Sequence, residues 1–340
     1  MVKIVLKCCG AKLYKGEKCI CNEKYYCSPE YINETLKKYG VAVVPSILND
    51  SECESMVNGL WDFHEELTNE WDIPINRNNE ESWKEIYKLF PKHSMLQQHF
   101  NIGHSQVCWD VRQNPKVVNV YSKLWDVPPD DLLVSFDGVS FAMPHEVTKR
   151  GQYRGNTWFH CDQSFTRNER ECVQSWVTGL DVDSDDATLA FYEAYHNFHK
   201  ECRERFNIVD KNDWYKLNST EEEFYKEKGC VAKRISCPKG SIVLWDSRTI
   251  HCGVEPFKNR KNKKLRAIVY VCYQPRAMSI PKQIEKKIKA YNELRTTSHW
   301  PCKIKLFPKN PQTYGVPLPL VNTNINKPIL TDFGKKLKGF

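Results

Sequence analysis

Apolar and polar positions divide the chain into two textures. Residues 40–48, "GVAVVPSIL", form a short β-branched run broken by Pro45. The next stretch, "NDSECESMVNGLWDFHEEL", repeats its apolar residues at helical spacing, so that Cys53, Met56, Val57, Leu60 and Leu67 share one face. Asn49 or Ser51 can cap this helix, and His64, beside the stripe, reads as a histidine at the edge of a core. Between residues 70 and 130 the pattern predicts mostly helices and loops, with "NPKVVNVYSKLWDV" as an amphipathic helix. Strands dominate afterwards. The stretches "LLVSFDGVSFAM", "NTWFHCD", "CVQSWVTGLDV", "TLAFYEAY", "GSIVLWDS" and "RAIVYVCYQP" are short, rich in β-branched and aromatic residues, and separated by turn or charged segments. That is the pattern of a sandwich or barrel, giving a mainly β, α+β fold with flanking helices. The last 60 residues restart with the helix "PKQIEKKIKAYNELRTT" and run through proline-rich irregular chain to "KKLKGF".

Composition narrows the class. The 340 residues are 41% hydrophobic, ample for a buried core. Mean hydropathy is negative, and no apolar run reaches the roughly 18 residues a membrane span needs. The apolar start, Met1 to Leu6, is too short for a signal peptide, so a cytoplasmic location is expected. Fifteen cysteines scattered through a chain of this kind read as free thiols rather than disulfides. Five of them, Cys8, Cys9, Cys19, Cys21 and Cys27, crowd the first 39 residues. Their spacing lacks the two-residue gap that lets paired thiolates wrap zinc, which favours reduced thiols over a zinc knot. Fifty basic against 42 acidic residues give a net charge of +8, below what a dedicated nucleic-acid binder carries.

The candidate chemistry begins at "GNTWFHCDQSF", residues 155–165. Side chains two apart on a strand share a face, so His160 and Asp162 point together and Cys161 points away. The stretch "GSIVLWDSRTIHCG" supplies a third ligand, His251, read as the end of an apolar strand. Two histidines and one carboxylate on one side of a metal leave three positions open, which suits Fe(II) sites that bind a cosubstrate and O2 together. Zinc hydrolysis needs only one open position. Arg266 opens the strand "RAIVYVCYQP", where period two places Arg266, Ile268 and Tyr270 on one face. It can pair with a bound carboxylate in a bidentate geometry that lysine does not reproduce. Arg260, in the charged loop, is the alternative anchor.

The ordered set "FHCDQ", "VQSWVTGLDVDSDDATLAFYEAYHNFHK", "GSIVLWDSRTIHCG" and "RAIVYVCYQP" resembles the phytanoyl-CoA dioxygenase-like family of Fe(II)/2-oxoglutarate-dependent oxygenases over about residues 40–280. The resemblance implies a double-stranded β-helix (jelly-roll, cupin-like) core. It places Fe(II) on His160, Asp162 and His251, and the far carboxylate of 2-oxoglutarate on Arg266. Trp176 and Gln174 fall where the family lines its cosubstrate pocket, and the implied reaction consumes O2, hydroxylates a C–H bond and releases succinate and CO2. An intact Asp162 argues against halogenation. "YHNFHK" departs from the family's usual Gly-Ser-His-Lys turn but keeps a histidine, His196. The expected organisation is a Cys-rich segment (1–39), an oxygenase domain (40–280) and a C-terminal helix with irregular extension (281–340).

Phe141, Trp158, Gln163, Phe165 and Arg167 are expected to flank the mouth. That mix would suit a small molecule, a peptide side chain or a nucleobase. Two other readings stand beside a hydroxylase: a catalytically inactive jelly-roll that binds a partner, and an oxygenase acting on nucleic acid, motivated by the Lys258 to Lys264 cluster.

Overall fold

A computed structural model of the chain describes residues 20–90, 95–155, 157–311, 315–323 and 326–339. Cys8, Cys9 and Cys19, where zinc was weighed against reduced thiols, lie outside the described residues. The eleven cysteines from Cys27 onward are free thiols.

Twelve strands are described: β1 Val41–Val44, β2 Leu132–Val134, β3 Val139–Ala142, β4 His160–Cys161, β5 Val173–Thr178, β6 Thr188–Tyr192, β7 Tyr215–Lys216, β8 Ala232–Arg234, β9 Ile242–Asp246, β10 His251–Val254, β11 Arg266–Val271 and β12 Tyr273–Pro275. Two five-stranded antiparallel sheets, ordered β1-β9-β5-β11-β3 and β7-β4-β10-β6-β8, form the jelly roll, with β12 and β2 as a separate pair. From β3 to β6 and again from β8 to β11 successive strands alternate between the two sheets, so residues far apart in the chain become neighbours.

Period two decides what each face carries. On β11, Ile268 and Tyr270 join Trp176, Val243, Trp245 and Phe191 between the sheets, while Ala267, Val269 and Val271 pack outward against the helices. Helix Asp50–Leu67 covers that outer face, with Cys53, Met56, Leu60, Trp61 and Leu67 buried. It starts at a capping box in which Asn49 accepts from the Glu52 backbone at 2.9 Å and Glu52 accepts from the Asn49 backbone at 2.7 Å. His64 lies inside the core rather than at its edge. Its Nδ1 meets the Leu60 carbonyl at 2.7 Å, and burial lowers its pKa to about 4, so it is neutral. Helices Pro115–Trp125 and Pro281–Asn292 stand where periodicity put them. The latter brings Tyr291 edge-on to Trp109 at 5.6 Å on the same core.

One boundary differs from the sequence reading in a way that matters for the site. The apolar run ends at Asp246, and His251 opens the next strand rather than ending this one. Asp246 makes the turn: its carboxylate accepts from the Arg248 backbone at 2.9 Å and from the Arg248 guanidinium at 2.9 and 2.6 Å, and its carbonyl accepts from Thr249 at 2.8 Å.

Gly138, just before β3, sits where Gln97 and Val139 exchange backbone hydrogen bonds of 2.8 and 3.0 Å. A Cβ there would lie 1.8 Å from the Gln97 carbonyl oxygen, so the backbone itself would have to move. Gly138→Ala is expected to cost about 1–3 kcal/mol, read as a lower melting temperature; an unchanged midpoint would contradict this packing.

Candidate active site

The strand register brings the two histidines together. His251 on β10 is the direct cross-strand partner of His160 on β4, so both imidazoles rise from one face, with ring centroids 4.4 Å apart. Asp162 follows β4 and is held by its backbone N–H, which donates to the Ser247 carbonyl at 3.1 Å. Its Oδ2 lies 3.6 Å from His160 Nε2 and 3.3 Å from His251 Nε2, and all three residues are buried. Cys161 points away, toward His199 and the outer core of the second sheet.

Each ring is oriented through its other nitrogen. His160 Nδ1 meets the Trp158 carbonyl at 3.2 Å and His251 Nδ1 meets the Thr249 carbonyl at 2.9 Å. A carbonyl only accepts, so each Nδ1 carries the hydrogen and each Nε2 keeps its lone pair facing Asp162. Burial by itself would raise the Asp162 carboxyl, but in the metal-free protein the imidazoles beside it hold it well below the usual carboxylate range, through the His160 charge and through hydrogen bonds that either ring can donate only when protonated at both nitrogens. Burial, reinforced by repulsion from His160, lowers the His251 pKa and favours its neutral, ligating form.

The wall of the barrel continues from this cluster along β5. Gln174 donates from Nε2 to Asp162 Oδ2 at 2.9 Å. Trp176, about 6–7 Å further along the same face, lies under the Arg266 guanidinium, whose carbon is 5.8 Å from the ring centroid. Arg266 is buried, donates from Nε to Ser140 Oγ at 2.7 Å and from Nη1 to the Ala187 carbonyl, and lines a cleft with Ala142, Thr178 and Val182. Its Nη2 has no hydrogen-bond partner among the described residues, and no carboxylate pairs with it there. Arg260 is differently placed: Glu146 takes two of its nitrogens at 2.7 and 2.8 Å, and Asp186 a third at 2.9 Å.

Residues 36–255 match the phytanoyl-CoA dioxygenase (PhyH) family, a span that contains His160, Asp162 and His251 and stops short of Arg266. The chain belongs to this family of Fe(II)/2-oxoglutarate-dependent oxygenases. It is 23% identical over 211 residues to Ava biosynthesis cluster protein O of Aspergillus versicolor, a match covering 60% of this chain and 65% of that relative, just under two thirds of its length. Among solved structures, a hypothetical protein of Escherichia coli, JW0805, superposes with a TM-score of 0.55 at 13% identity, covering 93% of this chain and 84% of that one. GlcNAc Inducible Gene 2 (GIG2) of Candida albicans gives 0.52 at 13% identity, covering 78% and 67%. At such identities the likeness is one of fold.

The donor set of this PhyH chain fits the metal its family uses. Two imidazole lone pairs and one carboxylate oxygen converge, and all three donor atoms lie within 4.8 Å of one another. With each Nδ1–H spent on a carbonyl, neither ring has a proton for Asp162 unless it charges, and a divalent cation would supply that complement instead. A second acidic group, Asp183, Asp185 and Asp186, is as close-set, but Arg260 and Lys264 already pair with Asp183 and Asp186.

Of the residues expected at the mouth, Trp158 is there. It is 44% exposed, stacks on His160 at 4.6 Å and 8°, and ties its indole to the Gly253 carbonyl at 3.0 Å. Phe141 instead faces the helices, edge-on to Trp61 at 5.0 Å. Phe165 stacks on His199 at 4.3 Å, and Gln163 is fully buried, donating to the Arg167 and Glu169 carbonyls. Arg167 is engaged by Glu171 and Asp213. His196 lies beneath the Gly40 turn, bonded to the Lys37 carbonyl at 3.0 Å. Two tryptophans went unassigned in the sequence: Trp245, whose ring is 5.4 Å from His251, and exposed Trp214, 5.9 Å from His160. The alternation of "IVLWD" placed Trp245 on the face of Val243, whereas nothing in the sequence around Trp214 pointed to His160.

The Lys258 to Lys264 cluster is largely spent on the protein's own acids. Arg260 holds Glu146 and Asp186, Lys263 holds Glu80, and Lys264 holds Asp183. Among the described residues, no helix is long and apolar enough to cross a membrane.

Proposed function

We propose that this chain is a 2-oxoglutarate-dependent dioxygenase that hydroxylates a C–H bond of a small-molecule or side-chain substrate. His160, Asp162 and His251 would hold Fe(II), and Arg266 would anchor the far carboxylate of 2-oxoglutarate. The observation that carries this reading is the convergence of two Nε2 lone pairs and one carboxylate oxygen on a single buried face. Arg266, free of any carboxylate partner among the described residues, lies further along the same wall. When bound, Fe(II) and 2-oxoglutarate would supply the oxidising power, with 2-oxoglutarate and O2 giving succinate and CO2 as the substrate is hydroxylated.

The protein's own part is geometric. The Trp158 and Thr249 carbonyls fix both imidazoles in the ligating tautomer. Three protein donors would leave Fe(II) three open positions, as many as a chelating keto acid and O2 together would require. Trp176, Val243, Trp245 and Ile268 line the space between the sheets with apolar surface that excludes water. The intact donor set supports turnover over an inert binding role, and the internal pairing of Arg260, Lys263 and Lys264 weighs against a nucleic-acid substrate.

With Fe(II), ascorbate and O2, the protein is expected to convert 2-oxoglutarate slowly to succinate even without its substrate, and Asp162→Ala is expected to lose that conversion. Equal succinate from both proteins would overturn the proposal.

A further inference from the structure

We infer that Gln174 is a positioning residue that fixes Asp162 as a one-oxygen ligand, an inference that rests on the metal-site reading above. The resemblance places Gln174 in the cosubstrate pocket, and in the structure its amide turns toward Asp162. It donates from Nε2 to Oδ2 at 2.9 Å. That oxygen is the one facing both imidazoles, at 3.3 and 3.6 Å. Oδ1 has no hydrogen-bond partner among the described residues.

The consequence follows from carboxylate chemistry. A carboxylate turns easily about Cβ–Cγ and can offer a cation one oxygen or two. Two-oxygen ligation by Asp162 would use one of the three positions that the cosubstrate and O2 need. A donor pinned to Oδ2 resists that rotation, because turning the carboxylate to present both oxygens gives up a charge-assisted hydrogen bond.

Gln174 holds this position from a buried place on a strand paired on both sides. It is 6% exposed in the middle of the first sheet, with its backbone in register with Trp245 of β9. β5 is flanked on its other side by β11, so neither its neighbours nor its register leave slack. The amide is also neutral, and so steadies the carboxylate without competing for its charge as a lysine or arginine would.

Co(II) serves as the probe, added to the apo-protein and followed by its visible absorption. Gln174→Met keeps the length and volume of the side chain and removes the donor. Gln174→Asn keeps an amide but is one methylene too short to reach. Both are expected to bind Co(II) about 10–100-fold more weakly than the wild type, with a changed band shape and an unchanged melting temperature of the apo-protein. A merely structural residue would lower that melting temperature and leave Co(II) affinity unchanged, and this result would overturn the inference. His160→Ala runs alongside to separate the two levels. If it loses Co(II) binding while both Gln174 variants keep it, the metal site stands and the role of Gln174 falls. If the wild type itself binds no Co(II), or binds it no better than His160→Ala, the metal-site reading falls and the inference with it.

Discussion

Asp162→Ala is expected to abolish Fe(II) binding and reduce 2-oxoglutarate turnover at least about 1,000-fold, while the chain stays folded. Its carboxylate is the only charged donor of the three and the point where both Nε2 atoms and Gln174 converge. No large apolar side chain is lost from the jelly roll, because Asp162 sits just past the two-residue strand β4 and is held there by its backbone N–H. The circular dichroism spectrum should therefore be unchanged. His160→Ala should lose the metal equally, and it also strips the stacked partner from Trp158, raising the exposure of an indole that is already 44% accessible. Retained Fe(II) affinity in either variant would show that the cluster is an ordinary buried polar network.

The second large effect concerns Arg266. Arg266→Lys is expected to weaken 2-oxoglutarate about 10–100-fold and to spare the metal, since one ammonium nitrogen cannot span the Ser140 and Ala187 acceptors and also offer a carboxylate the paired donors of a guanidinium fork. Arg260→Ala separates the two arginines. Its nitrogens already hold Glu146 and Asp186, so its loss should lower the melting temperature and leave 2-oxoglutarate affinity near the wild-type value. Isothermal titration of each variant with 2-oxoglutarate in the presence of Co(II) reads both expectations. A loss of affinity confined to Arg260→Ala would move the anchor into the charged loop.

What was legible in the sequence, and what was not, has a common physical cause. Long β-branched stretches such as "RAIVYV" and "CVQSWVT" declared themselves as strands, and their alternation placed Arg266 and Gln174 on the same face as Ile268 and Trp176. The mouth was harder. The first sheet is covered on both faces, so period two separates Ser140 from Phe141 without saying which of them faces the barrel interior. Phe141 proved to belong to the helix side. The strands β7 and β8 escaped notice because they are two and three residues long, at the edges of their sheet, and carry Lys216, Lys233 and Arg234 rather than an apolar alternation. His251 stands in the buried cluster although it opens a strand instead of ending one, because the Asp246 turn interrupts what reads as one continuous run. The hydrogen bond from Gln174 to Asp162 was beyond reach, since it depends on how β5 and the end of β4 meet across the two sheets.

The most direct test of the central claim is an anaerobic titration of the apo-protein, first with Fe(II) and then with 2-oxoglutarate, watching for the visible metal-to-ligand charge-transfer band. A band that grows to one equivalent of 2-oxoglutarate in the wild type, and is absent from His160→Ala, is the predicted result. No band in the wild type, or the same band in both proteins, would contradict the assignment of His160, Asp162 and His251 as the site of Fe(II) and its cosubstrate.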